Sequence, residues 1–352
     1  MQVFKDQTIL ITGGTGSLGQ VLTRKILSGI YGQPKKVIIY SRDEAKQHYM
    51  RLSYKNNKLA TDEVVYNNFK QLLEFRIGDV RDFHSVSMAL RDVDIVINAA
   101  ALKQVPSCEY FPEEAVRTNI LGPTNIVKAI KEHDLPIHTV IGVSTDKACK
   151  PINVMGMTKA LQERVFIGAN VLIPKTRFVC VRYGNVLASR GSVIPLFLDQ
   201  IERGGPVTIT TKEMTRFLIP LEKAVEVIVA AIADGKRGET YIPKIGAAKM
   251  IDLAKALISN KKIKISYTGI RPGEKVYESL VATEEAWHTI SRGQYYVIKS
   301  LLPELSDGIK HEKMLLHEYN SATPEMSVKE ITTMLKKYNL LNTNIHNGEV
   351  LA

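Results

Sequence analysis

Apolar positions in the first half of the chain occur in short continuous runs, and each run ends at glycine or polar residues. Runs of this length are typical of buried strands. Between them, apolar residues recur three and four positions apart, which predicts helices. The predicted strands are Thr8–Ile11, Lys36–Tyr40, Glu74–Ile77, Val93–Asn98, Thr139–Ser144 and Phe178–Arg182. The predicted helices are Leu18–Ser28, Phe83–Leu90, Asn119–His133 and Val154–Ile167.

This alternation predicts an α/β fold with a doubly wound parallel sheet, because strands that are apolar throughout need helices on both faces. We expect residues 1–185 to form that domain. Beyond it glycine and proline recur, which indicates a smaller mixed α/β domain built from 186–220 and 246–342. A helix at about 221–235 is expected to return to the first domain, and the polar segment 343–352 to be a flexible tail.

Composition narrows the class of protein. The 352 residues carry a formal net charge of +11, but basic residues are spread along the chain and no nucleic-acid-binding pattern stands out. No apolar run approaches the roughly 20 residues that span a bilayer, and the chain starts directly with a strand, so we expect no membrane segment and no signal peptide. The cysteines Cys108, Cys149 and Cys180 form no paired motif, which favours a cytoplasmic protein without a metal site.

A glycine turn links the first strand to the first helix. The segment TILITGGTGSLGQVL contains glycines that permit a tight turn and a close backbone approach to a diphosphate. The helix that follows offers free N–H groups to the same anion. This context predicts a Rossmann-type nucleotide site whose contacts include Gly13, Thr15, Gly16, Ser17 and Leu18.

The second strand ends at Ser41 and Arg42, where sites that prefer NAD usually have an acid. An arginine fork suits a 2′-phosphate, and Lys46 lies one helical turn further on, so we predict NADP. Asp43 could cap the next helix rather than bind the ribose. Two further strand ends complete the predicted cofactor crevice: Asp79 and Val80 after the third strand, and Ala99, Ala100 and Ala101 after the fourth.

The segment STDKACKPINVMGMTK, residues 144–159, has Met155 one helical turn before Lys159. Short-chain dehydrogenases place a catalytic tyrosine and lysine at this spacing, on one face of a helix. A thioether exchanges no proton. Asp146 and Lys147, directly upstream, are therefore the candidate acid–base groups.

The strings GGTGSLG, YSRDE, AAALKQVPSCE, RYGNVLASRGSVIP, MTRF and RPGEK, together with residues 144–159, resemble the extended short-chain dehydrogenase/reductase family. Within it, the chain is most similar to UDP-N-acetylglucosamine 4,6-dehydratases that invert C5 and act in capsule and lipopolysaccharide synthesis, a subgroup of which also has methionine at position 155. The resemblance implies tightly bound NADP that is regenerated in each cycle. It also implies a homo-oligomer, from dimer to hexamer.

The resemblance further implies oxidation of the sugar at C4, loss of water across C5 and C6, and return of hydride to C6. Asp146 is then the acid and Lys147 the base, with Ser144 or Thr145 on the C4 oxygen. We hypothesise that Thr145 relays the C4 proton. Lys159 would hold the nicotinamide ribose, and Met155 would be either a wall against the sugar or a core residue. The implied substrate contacts are Lys103, Asn185, Ser192, Val193, Arg216, Arg271 and Glu274.

Three alternatives remain open at this point. A UDP-sugar 4-epimerase or reductase shares the fold and cofactor but relies on the tyrosine. A catalytically inactive NADP-binding regulatory protein is a second alternative, and Met155 is the one feature of the sequence that favours it. A nucleic-acid or membrane-surface binder would explain the charge, and predicts binding that weakens steeply with salt.

Overall fold

The computed structural model of the chain describes residues 1–56, 63–187, 189, 191–305, 314–323, 325–341, 345–346 and 349–350. Most of the segment expected to be a flexible tail lies outside these residues. No helix within the described ranges is both long enough and apolar enough to cross a membrane.

The elements of the first part alternate between strand and helix. In chain order they are β1 (Thr8–Thr12), α1 (Ser17–Leu27), β2 (Lys36–Ser41), α2 (Glu44–Asn56), α3 (Glu63–Leu72), β3 (Leu73–Ile77), α4 (Phe83–Ala89), β4 (Ile95–Asn98), α5 (Val105–Tyr110), α6 (Pro112–Val116), a π-helical turn (Arg117–Leu121), α7 (Gly122–Glu132), β5 (Thr139–Val143), a 3-10 turn (Asp146–Ala148), α8 (Val154–Leu172) and β6 (Arg177–Val181). The six predicted strands are all present, with ends shifted by one or two residues.

The elements of the second part are shorter and mixed. They are β7 (Asn185–Val186), α9 (Val193–Glu202), β8 (Val207–Ile209), β9 (Thr215–Ile219), α10 (Leu221–Asp234), β10 (Thr240–Pro243), β11 (Ala247–Lys249), α11 (Met250–Ile258), β12 (Ile265–Tyr267), β13 (Ser279–Val281), α12 (Thr283–Ala286), β14 (Thr289–Arg292), β15 (Tyr295–Ile298), a 3-10 turn (Pro303–Leu305), β16 (Tyr319–Asn320), α13 (Val328–Lys337), β17 (Ile345–His346) and β18 (Glu349–Val350).

The main sheet of the described residues has nine strands in the order β14-β15-β10-β6-β5-β4-β1-β2-β3. Its part from β3 to β6 is parallel and has the strand order 3-2-1-4-5-6 of a Rossmann-type sheet. The predicted fold class is confirmed. In β1, Ile9 and Ile11 pack into a core with α1 and α10, whereas Leu10 packs into a second core with α4, α7 and α8. Both faces of the sheet are therefore covered.

A second lobe lies beyond the carboxyl end of this sheet. It contains the sheet β11-β9-β7, the pair β12-β8 and the helices α9, α11 and α13, which share one apolar core. The hairpin β14-β15 does not belong to this lobe, because β15 pairs antiparallel with β10 and extends the main sheet. This differs from the expectation that 246–342 lies wholly in the second domain. Short strands carry no sequence signal for the sheet that they join.

Candidate active site

The glycine turn after β1 packs directly against the end of β4. Gly13 has a φ of +65°, and a Cβ there would lie 2.8 Å from the Cα of Ala100 and 3.0 Å from the carbonyl carbon of Ala99. A side chain at Gly13 would therefore push the two strand ends apart. Ala101 continues the same strand end. The turn and the alanine segment form one shallow cradle at the carboxyl edge of the sheet.

The amino end of α1 faces this cradle. Its N-cap is Gly16, which has no side chain to occupy the helix end, and the first turn, which begins with Ser17 and Leu18, contains no acidic residue. Thr15 is buried, and its hydroxyl donates to the Ser41 Oγ over 3.4 Å. The N–H groups at this end suit an anion such as a diphosphate.

Charged groups gather where β2 and β3 end. The Arg42 Nη1 lies 3.8 Å from the Asp79 Oδ2, and Arg42 is about half exposed. Burial alone would raise the pKa of Asp79, but hydrogen bonds and charge from Arg81, with the charge of Arg42, hold that pKa below its usual value. Val80, the next residue, is buried.

Asp43 caps α2, as its position predicts. Its Oδ1 accepts from the backbone N of Lys46 at 3.0 Å, and its Oδ2 lies 2.5 Å from the Lys46 Nζ. Lys46 is thus a partly exposed cation close to Arg42, and it is already paired with Asp43.

The predicted acid–base pair lies where β5 ends. The Asp146 Oδ1 accepts from the Lys147 Nζ at 3.0 Å and from the Thr145 Oγ1 at 2.8 Å. Asp146 is fully buried, and its Oδ2 has no hydrogen-bond partner among the residues that the structure describes. Burial lowers the pKa of Lys147, but the charges of Asp146 and Glu278 more than offset it, so this pKa is raised overall.

Ser144 is oriented away from the cavity. It is buried, and its hydroxyl donates to the Glu163 Oε1 over 2.5 Å. Glu163 in turn holds Arg182, which also binds Glu285 after β13. Ser144 therefore belongs to a buried ionic network that joins α8, β6 and α12. Thr145 also follows β5 and is partly exposed, so its hydroxyl is the one at this strand end that lies outside the ionic network.

Helix α8 places Lys159 and Met155 very differently. The Lys159 Nζ donates to the Val143 carbonyl and to the Gln162 Oε1, each at 2.6 Å. Burial lowers the pKa of Lys159 to about 8. Met155 is 4% exposed and packs in a small apolar cluster with Cys108 and Ala115. This is the core-facing placement, one of the two that the sequence left open.

A cavity of about 680 Å³ separates this strand end from the second lobe. Its lining includes most of the predicted substrate contacts: Asn185, Ser192, Val193, Arg216, Arg271 and Glu274, together with Lys147. Within the described part of the chain, three buried atoms on this wall have no hydrogen-bond partner: the Asn185 Oδ1, the Ser192 Oγ and the Glu278 Oε2. Unpartnered buried polar atoms are costly, so the cavity is built for a polar ligand.

Two predicted contacts have surroundings that the sequence did not indicate. Lys103 is exposed and lies outside the cavity wall, two residues before Val105, which lies on it. The guanidinium of Arg216 donates to the backbone carbonyls of Thr215, Lys275 and Val276. It therefore secures the segment after RPGEK as well as lining the cavity.

Sequence reasoning missed Asn153, which connects the two lobes. Its Oδ1 accepts from the Gly156 backbone N and caps α8, while its Nδ2 donates to the Gly273 carbonyl, each at 2.8 Å. It also missed Glu278 and Lys275, which lie in or just after the RPGEK string. An Asn before a helix signals a cap, but nothing in a sequence pattern signals the second contact. No cluster of three His, Cys, Asp or Glu within the described ranges could hold a metal.

The fold defines a two-lobed Rossmann-type α/β protein with a cavity between the sheet edge and the second lobe. The chain belongs to the polysaccharide biosynthesis protein family, whose sequence profile matches residues 9–300.

Individual relatives resemble almost the whole chain. Proteins of Rickettsia bellii and Rickettsia prowazekii named UDP-glucose 4-epimerase are each 42% identical, over 98% of this chain and 100% of theirs. The structure of Pen from Bacillus thuringiensis is 33% identical, with a TM-score of 0.84 over 96% of this chain and 99% of Pen. The dTDP-glucose 4,6-dehydratase DesIV from Streptomyces venezuelae shares the fold at 19% identity, with a TM-score of 0.65 over 76% of this chain and 86% of DesIV.

Proposed function

We propose that the chain is a nicotinamide-dependent enzyme that modifies nucleotide sugars, and specifically a UDP-N-acetylglucosamine 4,6-dehydratase that inverts C5. The observation that carries the dehydratase assignment is the Asp146–Lys147 pair at the cavity wall, in a site where Met155 supplies no proton-exchanging group. Elimination of water needs both an acid and a base, and this pair is one of each.

The residues present fit a dinucleotide. A diphosphate would fit the cradle formed by Gly13, Ala99 and Ala100 and the uncapped amino end of α1. The Lys159 Nζ lies at the same edge of the sheet, because it donates to the carbonyl of Val143, the last residue of β5. Arg42 favours NADP because its fork matches a 2′-phosphate. When bound, the nicotinamide would accept hydride from C4 and return it to C6, so that the cofactor is regenerated.

The pair can reach the protonation states that the reaction requires. In the ion pair, Lys147 holds the proton and Asp146 is a carboxylate. Loss of the Lys147 proton to solvent, which the neighbouring carboxylates oppose, leaves a neutral amine that can take the C5 proton. Asp146 gains its proton from the C4 hydroxyl through Thr145 and, as a carboxylic acid, can protonate the C6 hydroxyl as it leaves. A neutral pair also avoids the cost of burying two charges once ligand closes the cavity.

Thr145 is our candidate for the C4 oxygen. Its hydroxyl donates to the Asp146 Oδ1 at 2.8 Å, so a proton taken from the C4 hydroxyl has a path to Asp146. Ser144 is less suited, because its own hydroxyl is committed to Glu163.

The cavity suits a UDP-sugar. The unpartnered Asn185 Oδ1 would accept a hydrogen bond from the sugar or uridine, and the Ser192 hydroxyl would accept or donate one. Val193 lines the same wall. Arg271 would bind the diphosphate. Glu274, whose Oε2 accepts from the Thr210 hydroxyl at 3.2 Å, would stabilise that turn and face the ribose.

The decisive experiment is incubation of purified protein with UDP-N-acetylglucosamine in heavy water. We expect loss of the mass of one water from the sugar and deuterium at C5, with inverted configuration by NMR. Asp146→Asn and Lys147→Ala should each slow water loss by about 10²–10⁴-fold and leave NADP binding intact. The control is Lys150→Ala, the next lysine along, which is exposed and paired with Glu318. Near-normal rates in both active-site variants would exclude the assignment.

The second candidate is a UDP-sugar 4-epimerase, which the names of the Rickettsia relatives favour. It predicts an unchanged mass and inversion at C4 in the same incubation, with either UDP-glucose or UDP-N-acetylglucosamine. An epimerase needs no pair for C5 and C6, so the Asp146→Asn variant would then retain most of its activity.

A further inference from the structure

Glu278 is a buried acid on the cavity wall that no predicted motif contains. It precedes β13, its side chain is 3% exposed, and it lines the same cavity as Lys147. Its backbone is anchored independently of the site, because its N–H donates to the Ser321 Oγ at 3.0 Å and its carbonyl accepts from the Ser321 N at 2.8 Å. The pairing of β13 with β16 therefore fixes the backbone from which this carboxylate projects.

Three cations surround this carboxylate. The Glu278 Oε1 lies 3.6 Å from the Lys147 Nζ and 4.0 Å from the Arg216 Nε, and the Oε2 lies 3.7 Å from the Lys275 Nζ. Without Glu278, these like charges would face one another in a site largely closed to water, where their repulsion is poorly screened. Asp146 contacts only Lys147 among them, so it cannot compensate for Arg216 and Lys275.

We propose that Glu278 is a positioning residue for the acid–base pair: it holds the Lys147 ammonium at the cavity wall and links it to the turn at Arg271–Lys275. The charged groups that face Lys147 are Asp146 from its own turn, Glu278 from the residue before β13 and Arg216 from β9. The two carboxylates raise the pKa of Lys147, against burial and the charge of Arg216. The consequence for catalysis rests on the proposed function, but the electrostatic coupling does not.

The coupling is tested by NMR titration of the full-length protein labelled with ¹³C at the lysine ε-carbon, with Lys147 assigned from a Lys147→Arg variant. Glu278→Gln removes one carboxylate from the ammonium, so the Lys147 midpoint should move to lower pH. The control is Glu318→Gln, which removes an acid paired with Lys150 on neighbouring β-structure and should leave the midpoint unchanged. An unchanged midpoint in Glu278→Gln, or an equal shift in the control, would overturn the proposal.

A second variant guards against misfolding of Glu278→Gln. Lys275→Gln removes a competing cation and should move the Lys147 midpoint to higher pH, the opposite direction. Glu278→Asp keeps the charge and should restore the midpoint towards that of the natural protein. A midpoint that moves in neither Lys275→Gln nor Glu278→Gln contradicts the coupling.

Activity gives a separate readout. If Lys147 is the base, the acidic limb of the pH profile for water loss should shift to lower pH in Glu278→Gln, in parallel with the NMR midpoint. In the same variant, kcat should decrease by a larger factor than the affinity of the protein for UDP. A shifted midpoint in a protein that dehydrates no sugar would retain the positioning role and reject the dehydratase. A shift in the acidic limb of the pH profile without a shift in the Lys147 titration midpoint would reject the positioning role of Glu278 and leave the dehydratase assignment in place.

Discussion

At the scale of single residues, Met155 shows how a missing group can direct an assignment. The sequence locates the substitution and its distance from Lys159, and the structure shows that the side chain is buried in an apolar cluster beside α8. The next residue, Gly156, has a different constraint, because a Cβ there would overlap the Lys147 carbonyl oxygen. At this point of α8, therefore, Gly156 and not Met155 packs against the turn that contains Asp146 and Lys147.

This packing leads to a prediction for Met155→Tyr. Tyrosine is larger and polar, so we expect it to lower the free energy of unfolding by about 1–3 kcal/mol and to bring no large gain in turnover. Met155→Leu, which conserves volume, should cost less than about 1.5 kcal/mol. Denaturant unfolding and turnover measurements check both variants. A large gain in turnover for the tyrosine variant would show that position 155 faces the substrate after all.

At the scale of elements, Asn153 couples the start of α8 to the RPGEK turn. One side-chain oxygen caps the helix and one side-chain nitrogen binds the Gly273 carbonyl. Gly273 has a φ of +78°, and a Cβ there would lie 3.1 Å from the Cβ of Asn153, so the two segments touch closely. The turn that carries Arg271 is thereby held beside the Asp146–Lys147 pair.

Asn153→Asp separates the two roles of this side chain. Aspartate caps helices as well as asparagine does, so unfolding should change little, but it has no N–H to donate to Gly273. Loss of one hydrogen bond, about 1 kcal/mol, should raise KM for the nucleotide sugar several-fold. The control is Asn260→Asp, in an exposed turn just after α11. Unchanged KM in Asn153→Asp would mean that the turn is held by other contacts.

Much of the element structure follows from the sequence. The sequence predicts the six strands of the parallel part, α1 and α4 to within one or two residues, because continuous apolar runs and helical periodicity are local signals. It predicts the start of α8 at Val154, but the helix runs five residues past the predicted end, to Leu172. The predicted helix Asn119–His133 is in fact a π-helical turn followed by α7. The hairpin β14-β15 could not be assigned to its sheet, since strand pairing depends on contacts that are remote in sequence.

At the scale of the whole molecule, α8 is apolar on the side that faces solvent. Polar residues such as Gln162 and Glu163 point inward, whereas Met157, Leu161 and Leu172 are each 47–58% exposed. These positions lie along one face of the helix, which also contains Gly168, where a Cβ would meet no atom within 4 Å. We propose that this face packs against the same face of a second copy, which would form the homo-oligomer that the family resemblance implies.

The oligomer is tested by Leu161→Glu. The chain has a mass of 39.3 kDa, so size-exclusion chromatography with light scattering should give a multiple of this mass for the natural protein and a lower multiple for the variant. Leu301→Glu is the control, since Leu301 is 46% exposed but lies outside α8. A monomeric natural protein would contradict the proposal. An unchanged mass for Leu161→Glu would instead place the interface on another surface.

The sequence by itself determined the fold class, the glycine turn and the adjacency of Asp146 to Lys147, because each depends on residues close together in the chain. Only the tertiary structure decided which polar groups meet across the cavity. Glu278 lies more than a hundred residues along the chain from Lys147, and Asn153 lies similarly far from Gly273. No local sequence pattern could therefore reveal either contact. Met155 was likewise visible in the sequence, but whether it faces ligand or core depended on the helices packed around it.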